Sequence, residues 1–107
     1  MLIDKFIDYL TLEKSYSHNT INAYYKDLKD FENFSKSKFD NINIEDSNYS
    51  IIRSWIVELV NTGVSNRTVN RKVSSLKSFF KFLIKTDSIK SSPLEGHIPL
   101  KQKKKIQ

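Results

Sequence analysis

S-N-R-T-V-N-R-K-V-S-S-L-K-S-F-F-K-F-L-I-K, Ser65 to Lys85, decides the fold. Its apolar residues Val69, Val73, Leu76, Phe80 and Leu83 recur every three or four positions, the pattern of one buried helix face. At about 100° per residue, Arg67, Arg71, Ser74, Ser78, Lys81 and Lys85 project from the opposite side. The segment also holds Lys72 and Lys77, and it has no Asp or Glu. The spacing therefore predicts a helix with an apolar back and a wholly cationic front. Charged helix faces are normally solvated and mix both signs. Six bases without an acid, interleaved with small serines that let a backbone come close, point to a polyanion, with DNA as the leading candidate.

Working outward, three further helices are predicted. The first runs from about Leu2 to Lys14, with Leu2, Ile3, Phe6, Ile7 and Leu10 inward. The second starts after Ser17, a good N-cap. It buries Ile21, Tyr24, Tyr25, Leu28 and Phe31 and ends near Phe34, and the Asn-, Asp- and Ser-rich stretch from Ser35 to Glu45 reads as a loop. The third starts near residues 46–48, buries Ile52, Trp55, Ile56, Leu59 and Val60, and stops at Gly63 as a left-handed C-cap. Only Asn61 to Ser65 connects it to the basic helix, so the two are neighbours. Beyond Lys85 the pattern fades, and Ser92-Pro93 ends any helical continuation. Residues 1–86 read as one helical domain. Residues 87–107 read as a linker or a frayed terminus, and the stretch Leu100 to Lys105 reads as a basic tail without a core signal.

The composition fits this reading. The chain has 107 residues, enough for one core, and only two Gly and two Pro, too few for a turn-rich β-sandwich. It has no cysteine, which excludes disulfides and thiolate metal sites. No apolar run approaches the ~18 residues of a membrane span, and M-L-I-D-K-F-I-D has no signal-peptide pattern, so a cytoplasmic protein is expected. Net charge is +6, unevenly spread. Residues 1–60 hold seven Lys/Arg against ten Asp/Glu, while residues 61–107 hold eleven against two. Such asymmetry predicts a directional electrostatic surface.

Catalytic signatures are missing. His18 and His97 lack ligand-spaced partners, so neither a metal nor another cofactor is expected. Asp4 and Asp8 share a face of the first helix, and Asp27 and Asp30 share one on the second. Paired carboxylates can do acid–base work in a desolvated cleft. Here Lys5, Lys26 and Lys29 sit beside them and predict solvated ion pairs. The second helix lines up Asn19, Asn22, Lys26, Lys29 and Asn33, donor-rich residues that can reach phosphates and base edges, diluted by Asp27 and Asp30. Ser17-His18-Asn19-Thr20 and Ser65-Asn66-Arg67-Thr68 share the form S-x-x-T at a helix start. Both are caps, and helix N-termini also suit phosphate.

The string F-I-D-Y-L-T-L-E-K-S-Y-S-H-N-T-I-N-A-Y-Y-K-D-L-K-D-F, with the later S-N-R-T-V-N-R-K-V-S-S-L-K-S-F-F-K-F-L, resembles the N-terminal part of Xer-type tyrosine recombinases of the phage integrase family. Val73 and Lys77 replace the commoner Leu and Arg, and Ser92-Pro93 stands where Asn-Pro is usual. The resemblance implies an all-α fold, a four- to five-helix SAM-like orthogonal bundle that forms the core-binding half of a clamp around DNA. It implies that Thr20, Asn22 and Lys26 on the second helix meet duplex DNA, as do Arg67, Thr68, Arg71 and Ser75 on the fourth; Lys77 and Lys81 extend the basic helix as further candidates. It also implies that the family's catalytic residues belong to a C-terminal domain absent here, that residues 87–107 begin the interdomain linker, and that other recombinase protomers are partners. No tyrosine of this chain is expected to be the nucleophile. Two readings compete with a non-catalytic DNA-binding module: a helical protein-interaction module whose basic face meets an acidic partner, and a stand-alone helix-turn-helix regulator. The last is disfavoured by a fourth helix of about 20 residues and ~30 Å, longer than a typical recognition helix.

Overall fold

A computed structural model describes residues 2–101. Four helices form: α1 (Leu2–Leu12), α2 (His18–Lys38), α3 (Tyr49–Asn61) and α4 (Asn66–Lys85), with a short 3-10 turn at Ile44–Asp46. The all-α expectation holds, with no strand among the described residues.

Each helix boundary has a local cause. Helix α1 gives way two residues earlier than predicted. Ser15, at φ 53°, turns the chain, and the Tyr16 N–H closes on the Leu10 carbonyl at 3.2 Å. Helix α2 runs a turn longer than predicted, through the serines that read as loop. Ser35 is fully buried and donates its hydroxyl back to the Glu32 carbonyl at 3.1 Å, so its polar group is satisfied inside the helix. Lys29 and Lys36 flank Glu32 at 2.7 and 3.9 Å and support the same turns. Asp40 and Asn41, both at positive φ, then reverse the chain. Helix α3 is capped by Asn48, whose side chain accepts from the Ile51 N–H. It ends as predicted at Gly63, φ 91°, with the Val64 N–H on the Leu59 carbonyl at 3.0 Å.

Helix α4 packs against the three others, and α2 is its main neighbour. Its predicted inward residues are all buried, and Phe79 and Phe82 widen the apolar face. Phe6 of α1 meets Phe79 and Phe82 at ring centroid distances of 5.5 and 5.4 Å, and Phe31 meets Trp55 at 5.1 Å. Two inward expectations fail: Tyr25 and Val60 are each 42% exposed. Each follows a residue already turned toward the core, and one further step of about 100° carries it to solvent.

The segment after α4 has a core signal that the sequence reading missed. Leu94 is buried, held in a turn where the His97 N–H meets the Leu94 carbonyl. Asn70 of α4 grips the backbone of Leu100 twice, accepting its N–H and donating to its carbonyl, each at 2.9 Å. Asn66 donates to the Lys101 carbonyl at 2.8 Å. The chain thus returns along α4 toward that helix's N-terminus. The remaining lysines of the basic run, Lys103 to Lys105, lie outside the described residues.

Candidate nucleic-acid interface

The two S-x-x-T starts are built alike. Ser17 and Ser65 both sit at φ −64° in extended backbone, and each accepts the N–H of the threonine three residues on at 3.2 Å. The hydroxyls of each Ser–Thr pair also meet, at 2.9 Å in α2 and 3.0 Å in α4. One of the orphan N–H groups at each helix start is thereby used in capping, and the first-turn residues are exposed apart from the half-buried Thr68.

Thr20, Arg71 and Ser75 come together. They line one cleft of about 380 Å³ between the first turns of α2 and the second and third turns of α4, with Asn19, Ala23 and Ser74. Asn22 and Lys26 are exposed on α2 beside it, and Arg67 is exposed in the first turn of α4, with Thr68 half-buried. Lys81 belongs to an adjoining cleft, where it stands with Lys14, Lys85, Tyr9 and Tyr16; Tyr24 is common to both clefts. The Lys85 ammonium lies 4.9 Å from the centre of the Tyr9 ring. Lys77 is not brought to this face. It lines a small hollow with Leu94, His97 and Pro99, against the returning C-terminal segment. His97 there is held below its usual pKa, first by burial and then by the nearby Lys77 ammonium.

The carboxylates differ most from expectation. Asp27 is 1% exposed and makes no solvated pair with Lys26 or Lys29. It crosses to α4: Oδ2 accepts from Arg71 Nη1 at 2.6 Å and from Ser75 Oγ at 2.8 Å, while Oδ1 accepts from Lys72 Nζ at 3.4 Å. Lys72, itself largely buried, also donates to Asp30 at 3.1 Å. Lys29 pairs instead with Glu32, and that hydrogen bond raises the lysine's pKa. A carboxylate nine-tenths or more buried survives only with such a set of donors. Two corrections follow. The front of α4 is not wholly cationic, because Asp27 and Asp30 offset Arg71 and Lys72 charge for charge. Ser75 presents no free hydroxyl, because its side chain is buried and committed to Asp27. The signal was in the sequence: Asp27 lies three residues after Tyr24, next to Leu28 and four before Phe31, on the inward side of α2.

The family model described as phage integrase, N-terminal SAM-like domain, matches residues 3–87. The chain is 37% identical to the tyrosine recombinase XerC of Bacillus subtilis over 102 residues, 94% of this chain and 33% of that protein. It is 45% identical to the tyrosine recombinase XerC of Leptospira interrogans over 91 residues, 83% of the chain and 28% of the relative. It is 37% identical to the tyrosine recombinase XerD of Rickettsia bellii over 93 residues, 86% and 30% respectively. The chain therefore spans about a third of the length of the curated relatives it matches. No solved structure matches.

Proposed function

Because the chain belongs to the phage integrase N-terminal SAM-like domain family, we propose that it is the DNA-binding domain of a site-specific tyrosine recombinase, gripping duplex DNA through α2 and α4. The observation that carries this reading is the cleft where the first turn of α2 meets α4, with Thr20 on one wall and Arg71 on the other. Two capped helix starts offer backbone N–H groups and positive dipole ends suited to phosphates. Arg67, Lys26 and Lys81 supply exposed cations around them. Arg71 and the amide of Asn22 supply donors of the kind that read base edges. Thr68 belongs with the capping turn and a phosphate, while Lys77 stands apart from the grip.

The same reading assigns binding, not cleavage, to these residues. Tyr9 packs on Phe82 at 5.0 Å and Tyr24 on Phe6 at 5.9 Å, as core aromatics do. Arg71 is committed to Asp27, not to an attacking tyrosine. Strand cleavage and joining then fall to a catalytic domain reached through the chain beyond residue 86, and the recombinase works with other protomers, where the cell's DNA is. Residues 1–86 are the binding unit in this scheme.

The test is binding to duplex DNA as a function of salt, with polyglutamate as control. If Arg67, Lys26, Lys81 and Lys85 each neutralise one phosphate, the log–log slope is about −3.6, and affinity falls roughly 150-fold between 50 and 200 mM salt. Equal affinity for polyglutamate would favour an acidic protein partner instead, and a flat salt response would remove the DNA reading.

A further inference from the structure

The Asp27 cluster is more than a tie between helices. Resting on the DNA-binding reading above, we infer that Asp27 is a positioning residue that fixes Arg71 in one orientation and so sets base discrimination instead of overall affinity.

Three observations combine. First, the carboxylate is held at both oxygens: Oδ2 accepts from the buried Ser75 hydroxyl at 2.8 Å and Oδ1 from Lys72 at 3.4 Å. Second, Arg71 spends one N–H on that fixed carboxylate, at 2.6 Å. A guanidinium has five N–H donors in a rigid fork. The other four have no hydrogen-bond partner among the described residues, and the side chain is 52% exposed in the α2–α4 cleft. Third, the cluster is neutral: Asp27 and Asp30 against Arg71 and Lys72. A group that only attracted phosphate would gain nothing from a buried neutralising partner. A group that must present two donors at a defined angle gains a great deal, since bidentate pairing with a base edge depends on geometry. Long side chains lose rotamer freedom when they bind. Here Asp27 removes that freedom before the ligand arrives.

This assignment separates charge from direction, and the two respond differently to substitution. Asp27→Asn leaves the cluster with one more positive charge and replaces the charge-assisted hold on Arg71 by a weaker neutral one. Arg71→Lys keeps the charge and removes the fork. Ser75→Ala keeps every charge and loosens the carboxylate.

The experiment begins by selecting a preferred duplex from a randomised pool with the 107-residue chain. Affinities for that duplex and for a shuffled duplex are then measured against salt. The chain should prefer the selected duplex by about tenfold or more, the range one bidentate contact supplies. Arg71→Lys should reduce the preference to within about twofold at an unchanged salt slope. Ser75→Ala should lower it several-fold, again with the slope unchanged. Asp27→Asn should lose the preference yet bind shuffled DNA as well or better, with a slope steeper by about 0.9. Adding Asp27→Asn to Arg71→Lys should cost no further preference, because Asp27 acts through Arg71. A merely structural Asp27 would lower both affinities together and add its loss to that of Arg71→Lys. That outcome overturns the positioning role and leaves the DNA reading intact, as does a chain that binds all duplexes alike. If Asp27→Asn does not fold, Ser75→Ala and Arg71→Lys decide. If the unsubstituted chain binds no duplex at all, the functional reading fails and this role fails with it.

Discussion

Reversing the charge of two arginines one turn apart on α4 should have very different consequences for stability. Arg71 lies 2.6 Å from a carboxylate that is 1% exposed, while Arg67 is exposed and makes no ion pair among the described residues. Arg71→Glu first removes a charge-assisted hydrogen bond, worth about 1.5–3 kcal/mol when both partners are buried. Arg71 is half exposed, so about 1 kcal/mol is the fitting share. It then sets a second carboxylate roughly 5 Å from Asp27. At an effective dielectric constant of about 20, that repulsion is about 3.3 kcal/mol. Lys72 and a swing of the new side chain toward solvent offset part of it, which leaves a net loss of about 2–3 kcal/mol. For a domain of this size that corresponds to a Tm lowered by about 10–20 °C. Arg67→Glu should change stability by no more than about 0.5 kcal/mol, as exposed substitutions do, while still weakening duplex binding by exchanging a cation for an anion. Thermal melts followed by circular dichroism, with duplex titrations at one salt concentration, measure both. If Arg71→Glu melts where the unsubstituted chain does, the buried pair is not formed in solution and the reasoning about Asp27 fails at its base.

Leu76 is fully buried on α4, so Leu76→Ala should cost about 2–5 kcal/mol by cavity formation, read as a shifted denaturant midpoint at unchanged slope. Asn70→Ala removes both hydrogen bonds to Leu100; faster amide exchange at Leu100 and faster proteolysis between residues 95 and 101 should follow, with the melting of the four helices little changed. His97 has its pKa lowered in the folded chain, so the fold prefers the neutral ring. The packing of residues 94–100 should therefore be fully in place above the ordinary pKa of about 6.5 and loosen as pH falls through the lowered value, with the His97 ring resonances titrating below 6.5. Lys77→Ala should move that midpoint only part of the way back, because burial is the larger cause.

The helices were legible because their information is local. Apolar spacing on α4, serine caps at residues 17 and 65 and Gly63 each act within a turn or two of chain. Ser35 was not legible, because a serine is a poor helix former until its hydroxyl finds the carbonyl three residues back, and only burial shows that it has done so. Leu94 and Leu100 lie in a proline-interrupted stretch, with no helical period to mark them, and Asn70, the partner of Leu100 on α4, lies 30 residues away. For the candidate interface, Thr20 is marked in the sequence by its cap and Arg71 by the basic stripe, and the two line one cleft. Asp27 was visible but misread. Its neighbours in sequence are lysines, which suggest a solvated pair, whereas its true partners lie 44 to 48 residues on. Charge adjacency in sequence is a poor guide wherever a helix face is shared between solvent and a neighbouring helix.

Pairing Asp27 and Asp30 with Arg71 and Lys72 changes what the basic helix can do. Of its six cations, two are neutralised in place and Lys77 is turned to the C-terminal segment. Arg67 at one end and Lys81 and Lys85 toward the other make no ion pair among the described residues, and between them Arg71 is offset by Asp27. Fourteen residues separate Arg67 from Lys81, roughly 21 Å along the helix axis, a span of about six base pairs at 3.4 Å each. A uniform cationic stripe would hold a phosphate backbone in many registers. On the proposed DNA-binding reading, charge at the two ends with an oriented, neutralised fork between them would favour one register: the ends would draw in the backbone, and the Arg71 fork would meet the edge then presented in the groove. The buried carboxylate, which a count of charges would score against DNA binding, is on this view the part of the surface that turns attraction into selection.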